Sequence, residues 1–361
     1  MKIDFANLAY QHNLYKDEIE SAVLNVISNV SFIMGDDVRL LEEELCKFSG
    51  VKNAITCSSG TDALLLALMA FNIKEGDEVI TTPFTFIATA EMIALTGAKP
   101  VFVDIDEETY NIDVNKIEDK ITSRTKAIIS VSLYGQASDI DGIDKICKKY
   151  NLKHIIDGAQ SFGCIYKDKM DSNLGDISCT SFFPSKPLGC YGDGGAVFTN
   201  NDEIAQKIKM LRVHGQSKRY HHKYIGIGGR LDTIQAAVLR VKLKYLQKDL
   251  KLRDDVAKKY TNLLKNKQYI LPTIKDGRTS VWAQFSIRVK NRQNLQEHLK
   301  EKGIPTAVHY PMPLHLQECF SYLGYKVGDF PIAEIVANEI MSLPMNPYLS
   351  EEEIQYIVEN L

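Results

Sequence analysis

No surplus of basic residues, no membrane-length apolar run, no paired cysteines and no dinucleotide-binding glycine loop occur in the 361 residues, and each absence excludes a class of function. With 46 acidic against 43 basic side chains the net charge is −3, so no basic stripe is available for a nucleic-acid backbone. The longest apolar run, ALLLALMAF at 63–71, falls far short of the roughly 20 residues that span a bilayer, so no membrane contact is expected. The opening MKIDFANLAY lacks the apolar segment of a secretory signal. Cys46, Cys57, Cys147, Cys164, Cys179, Cys190 and Cys319 are odd in number, scattered and free of any CxxC pair. They read as reduced core thiols rather than a disulfide frame or zinc site, and the expected compartment is the cytoplasm. His214, His221 and His222 have no acid or cysteine at ligand spacing, so no metal is expected. No GxGxxG follows the first strand pattern, and GIGGRL has the wrong spacing for a nicotinamide fingerprint. Internal repeats and low-complexity segments are also missing.

What is present is an ordinary globular composition, 45% apolar and 25% charged, with length enough for a large domain and a smaller one. From residue 51 to about 200, short apolar runs alternate with helical patterns: NAITCSS then GTDALLLALMAFNI, DEVITTPF then ATAEMIALTG, KPVFVDI then DVNKIEDKI, TKAIISVSLYG then DIDGIDKICKKYN, and LKHIIDGAQ. Strands apolar on both faces and separated by helices predict a doubly wound, mostly parallel α/β sheet. Residues 230–265 read as one long amphipathic helix. Beyond it WAQFSIRV, NLQEHLKEKGI, TAVHY and EEEIQYIVENL alternate again. The expected organisation is a large α/β unit over 1–240 and, over 241–361, the linking helix with a smaller C-terminal α/β unit.

The stretch SFFPSKPLGCYGDGGAVFTN, 181–200, places Lys186 between a Ser-Pro run and several glycines in mostly apolar surroundings. An ammonium there is either a paired structural charge or a reactive amine whose pKa burial has lowered. SSGTDALLLAL sets small residues at a helix start, as a plain N-cap or as a seat for phosphate. Asp157 closes an apolar strand in HIIDGAQSFG, either as a cap or paired charge or as a functional acid. Ser181 lies five residues before Lys186 and offers a hydroxyl to the same anion; Phe86 in PFTFIATAE sits at a strand end, where plain core packing is the simpler reading. Together they supply what pyridoxal phosphate demands: an amine for a Schiff base, a carboxylate for the pyridine nitrogen, a phosphate cradle and a stacking ring. Lys186, Asp157, Gly60 with Thr61 and Ser181, and Phe86 fill those roles in turn.

Over nearly its whole length the chain resembles the DegT/StrS sugar-nucleotide aminotransferases, fold-type I pyridoxal-phosphate enzymes. The resemblance is carried by SGTDAL, PFTFIATAE, DGAQSFG, TSFFPSKPLGCYGDGGAVFTN, GGRLDTIQAAVL and PTAVHYPMPLHLQ in that order. It implies that Lys186 holds the cofactor as a Schiff base and moves the proton, Asp157 pairs with the ring nitrogen, and Gln160 bonds the ring hydroxyl. Gly60, Thr61 and Ser181 would hold the phosphate. Arg230, His309 and Tyr310 match nucleotide-sugar contacts, Arg230 reaching across a homodimer. His309, closing an apolar TAVHY segment, also reads as a plain structural histidine. The implied reaction moves an amino group from L-glutamate to a nucleotide-linked keto-sugar, for surface polysaccharide. The members that aminate C3 of UDP-2-acetamido-3-keto-hexuronic acid are the most similar, with 4-keto sugars on UDP or dTDP as the alternative. Where the family usually has NxRL, this chain has Gly228 before Gly229 and Arg230. The asparagine that donates to the phosphate across subunits is therefore missing. A pyridoxamine-phosphate-dependent dehydratase would carry histidine in place of Lys186, and a non-catalytic cofactor-binding regulator would not need the lysine.

Overall fold

The structure, a computed structural model, describes residues 3–361. Two helices, α1 (Leu8–Ser28) and α2 (Asp36–Ser49), lead into β1 (Asn53–Cys57), α3 (Gly60–Ala70), β2 (Glu78–Thr81), α4 (Ala88–Leu95) and β3 (Lys99–Phe102). Then come β4 (Thr125–Val131), α5 (Ile140–Tyr150), β5 (Lys153–Asp157), a short hairpin of β6 (Ile165–Tyr166) and β7 (Lys169–Met170), β8 (Ile177–Ser181) and β9 (Gly195–Thr199). Next in order are α6 (Asp202–Leu211), a hairpin of β10 (Gln216–Lys218) and β11 (His221–His222), and α7 (Thr233–Leu264). The chain closes with β12 (Phe285–Arg288), α8 (Arg292–Glu301), α9 (Pro331–Glu339), β13 (Ile340–Leu343) and α10 (Glu351–Glu359).

Seven strands form one sheet in the order β1-β9-β8-β5-β4-β2-β3. All run parallel except β9, which is antiparallel to both β1 and β8. The reason is local: parallel neighbours need a crossover, whereas β8 and β9 are joined by a loop without a helix, so the chain returns directly. Helices cover the sheet, which is why its strands are apolar on both sides and why α3, lodged against α4, α6, β8 and β9, buries most of its surface. The expected α/β fold with a large, mostly parallel sheet is the one the chain forms.

Two local expectations fail. DVNKIEDKI makes two single 3-10 turns, Val114–Lys116 and Glu118–Lys120, because the Asp113 side chain takes the Asn115 N–H and starts a turn rather than a helix. TAVHY is no strand; only an isolated bridge from Ala307 to Ser342 remains.

At 32 residues α7 is about 48 Å long, and two apolar cores divide along it. Its first half sends Ala236, Leu239, Leu243 and Leu246 into the core beneath β1 and β9. Its second half packs Val256, Tyr260 and Leu264 against Trp282, Phe285 and Ile354 of the C-terminal region, where Ile3 also lies. Among the described residues no helix is long and apolar enough to cross a membrane.

Candidate active site at the carboxyl edge of the sheet

Because β1, β2, β4, β5 and β8 run parallel, their carboxyl ends lie along one edge, and the loops that leave them meet there. Those loops carry Ser58 to Thr61, Pro83 to Phe86, Leu133 to Gly135, Asp157 to Gln160, and Ser181 to Lys186.

Lys186 sits in the turn after β8, its N–H donating to Phe183 O at 2.9 Å. The side chain keeps some surface, yet the walls around it remove enough water to lower its pKa, with Asp157 opposing that shift. Asp157, the last residue of β5, is 6% exposed. One carboxylate oxygen accepts from Thr89 Oγ at 2.7 Å and the other from the Ala159 N–H at 3.2 Å. No cation lies in ion-pair contact with it among the described residues. Burial therefore pushes the carboxyl up, partly offset by those two donors and by Lys186.

Gln160 is buried, accepting the Tyr134 N–H at 2.7 Å and donating through Nε2 to the Tyr310 hydroxyl at 3.1 Å. Tyr310 in turn packs near Phe86, ring centres 6.2 Å apart, and burial with the Asp157 charge raises its phenol. Phe86 is 56% exposed, so it is not core but a ring presented at the cleft. His309 bonds Ser342 Oγ through Nδ1 at 2.9 Å; burial, then the Lys186 charge, lowers its pKa to about 4 and keeps the ring neutral. Lys186, Asp157, Gln160, Phe86, His309 and Tyr310 are thus gathered around one cleft.

Beside it, Ser59 caps α3 by accepting the Asp62 N–H at 3.0 Å, while the N–H groups of Gly60 and Thr61 find no partner among the described residues. Gly60 lies so close to Ser181 that an added Cβ would stand 2.6 Å from the serine Cβ. A helix N-terminus with free donors and an adjacent hydroxyl is an anion seat. Arg230 follows Gly229, whose carbonyl accepts the Ser58 N–H at 3.1 Å, and the Arg230 Nε is buried without a partner. Among the described residues Arg230 makes no hydrogen bond to the Lys186 cluster. At Gly228 the His214 ring stands 3.0 to 3.1 Å from where a Cβ would be, so the imidazole borders the position that an asparagine would use.

Residue-level reading from sequence missed Thr89, Tyr134 and Ser342. Thr89 lies inside PFTFIATAE, and that motif was the only signal; the other two act through partners remote in sequence, Tyr134 through its N–H to Gln160 and its hydroxyl to His309 O.

The comparisons agree with this geometry. The model of the DegT/DnrJ/EryC1/StrS aminotransferase family matches residues 13–361. The UDP-2-acetamido-2-deoxy-3-oxo-D-glucuronate aminotransferase of Pseudomonas aeruginosa is 48% identical, covering 98% of both chains. A pleiotropic regulatory protein of Geobacillus stearothermophilus is 46% identical over 100% of this chain and 98% of its own. Among solved structures, that of Bacillus subtilis ntda with bound cofactor PMP superposes with a TM-score of 0.93 at 30% identity, covering 99% of this chain and 84% of that one. Motif order, fold and site therefore converge, and the chain belongs to the DegT/DnrJ/EryC1/StrS aminotransferase family.

Proposed function

We propose that the chain moves the amino group of L-glutamate onto the keto carbon of a nucleotide-linked sugar, releasing 2-oxoglutarate, with pyridoxal phosphate held in the cleft. The observation that carries this reading is the closeness of Lys186, an amine in poorly solvated surroundings, to Asp157, a buried carboxylate with no cation in contact among the described residues. The residues fit the cofactor. The uncompensated Asp157 suits a protonated ring nitrogen, and the free N–H groups of Gly60 and Thr61 with the Ser181 hydroxyl suit a phosphate. When bound, the cofactor supplies an electron sink for the amino-bearing carbon.

The protein does the rest. A lowered pKa leaves more of Lys186 unprotonated near neutrality, so Nζ takes and returns a proton. Thr89 and the Ala159 N–H fix the Asp157 carboxylate in place. Gln160 offers Nε2 to the ring hydroxyl, at the expense of its bond to Tyr310. Phe86 covers a ring face and excludes water. Neutral His309 and the Tyr310 hydroxyl face the sugar, and Arg230 of a second copy bonds carboxylate or phosphate oxygens in pairs.

The 3-keto position of a UDP-2-acetamido-hexuronic acid is favoured by the 48% identical relative of that name. A homodimer is supported by an unpartnered apolar stretch at the end of α1 and just beyond, where Leu24 is 60%, Val30 71% and Ile33 55% exposed. The test incubates the purified chain with pyridoxal phosphate, glutamate and a panel of UDP- and dTDP-linked 3-keto and 4-keto sugars, with mass detection of the amino-sugar. Product from a 3-keto UDP-sugar, abolished in Lys186→Ala, is expected. The regulatory relative favours a second reading, binding without turnover; a cofactor-loaded chain that aminates no member of the panel would establish that reading instead.

A further inference from the structure

Lys186 is only as well placed as the loop that bears it. That loop, 182–194, leaves β8 and returns as β9 without a helix of its own. Its base is closed by Phe182 N–H to Gly194 O at 2.7 Å and Cys190 N–H to Phe182 O at 2.8 Å. Its tip is folded tightly, since a Cβ at Gly189 would stand 2.4 Å from Pro184 O. The far limb is then tied to α7 and α1. Lys242 of α7 is 4% exposed and donates from Nζ to Gly189 O at 2.5 Å, its ammonium lying 5.5 Å from the Tyr191 ring centre. Gln235, two turns earlier on the same helix, accepts the Tyr191 N–H at 2.8 Å. His12 of α1 bonds the Tyr191 hydroxyl at 2.8 Å.

We propose that Lys242 is a positioning residue for Lys186: its buried ammonium, acting with Gln235, clamps the Gly189–Tyr191 limb to α7 and so fixes where the Lys186 amine stands. The inference rests on the function proposed above and adds a residue to it. Lys242 makes no ion pair among the described residues. Asp249 and Arg253 face it from α7, Cys190 and Tyr191 from the loop, with His12 held on Tyr191 from α1. Burial lowers its pKa to about 8, so the charge is carried at a cost to the fold. Because the native state binds the proton less well than the unfolded chain, stability rises with pH between about 8 and the ordinary lysine value, and it is least below that window. A residue kept only for packing would be better served by an apolar side chain. With the stem kept in Lys242→Met, a packing role therefore predicts that the placement of Lys186 is unchanged, whereas a clamp predicts that the placement is lost without a loss of stability.

The test compares wild type with Lys242→Met, which keeps the stem, Lys242→Gln, which keeps an N–H donor without the charge, and Gln235→Ala, which removes the second tie. One sample of each cofactor-free protein is melted; a second, kept native, is mixed with pyridoxal phosphate, reduced with borohydride at intervals, and its Lys186 label counted by mass spectrometry. Lys242→Met should melt no lower than wild type, label Lys186 about tenfold more slowly or to a smaller final extent, and lower kcat about tenfold with KM for glutamate changed less than about threefold. Lys242→Gln should recover part of both, and Gln235→Ala should slow labelling in the same sense. Labelling and kcat within about twofold of wild type in both Lys242→Met and Gln235→Ala would overturn the inference. So would a drop in melting temperature that accounts for the loss. A wild type that does not label at Lys186 at all would instead sink the function proposed above.

Discussion

A buried carboxylate without a cation sets the electrostatics of the cleft. Asp157 takes two neutral donors and feels the Lys186 charge, and its pKa is raised because burial outweighs them together. The cofactor-free protein thus gains stability when Asp157 is neutral, and Asp157→Asn should leave its melting temperature unchanged or higher while cutting turnover by about 100-fold or more. Cofactor titration by absorbance with steady-state rates checks this; near-normal turnover would mean that another acid serves the ring nitrogen. His309 titrates in the opposite sense. Its pKa falls from 6.5 to about 4, so between those values the native state binds fewer protons than the unfolded chain, and stability is lost as pH drops through the window. His309→Gln should flatten that part of the melting-temperature profile. Wild type and variant running parallel from pH 7 to 4 would contradict it. At this scale the sequence disclosed the residues whose chemistry is rare for their setting, such as a lysine among glycines. Ser342 and Lys242 were hidden, and Thr89 showed only through its motif, because a threonine, a serine or a helix lysine has no role of its own to read until folding brings a distant partner: Thr89 and Asp157 are 68 positions apart.

The proposed anion seat belongs to an element, the first turn of α3 pressed against the end of β8. Its narrowness is visible at Gly60, where an alanine Cβ would lie 2.6 Å from Ser181 Cβ and 3.2 Å from its hydroxyl oxygen. The hydroxyl can turn, but Ser181 Cβ and, at 3.1 Å, its Cα are fixed by the backbone, so Gly60→Ala must push α3 from β8, at the roughly 1 to 3 kcal/mol of an overpacked core. A lower melting temperature and weaker binding of pyridoxal phosphate are expected together, whereas pyridoxal without the phosphate should lose less affinity. Equal losses for both ligands would remove the seat from α3. The elements themselves were readable where periodicity was long: β1 to β5, α3, α5 and α7 fall where the pattern set them. The pattern could not give the direction of β9, which depends on what lies between two strands. It also mistook TAVHY for a strand, because an alternating run with only one bridge partner has nothing to pair with.

One chain accounts for most of the site but leaves two features open, and both point outward. Among the described residues Arg230 has a buried, unpartnered Nε and no bond to the Lys186 cluster, although its segment lies against Ser58 just before α3. The apolar residues at the end of α1 and just beyond are exposed. A twofold interface across that surface would satisfy both, since in an isologous contact each copy lends the other the same residues. Lys186→Ala and Arg230→Ala chains are each expected to be inactive, for different reasons. If Arg230 serves the partner's cleft, a mixed dimer holds one site with both substitutions and one with neither. With free exchange half of the dimers are mixed, and each restores one of two sites, so about a quarter of wild-type activity should return. If Arg230 serves its own cleft, every site in the mixture lacks one residue and nothing returns. Activity staying at background, with subunit exchange verified by mass-tagged chains, would place Arg230 in the site of its own subunit.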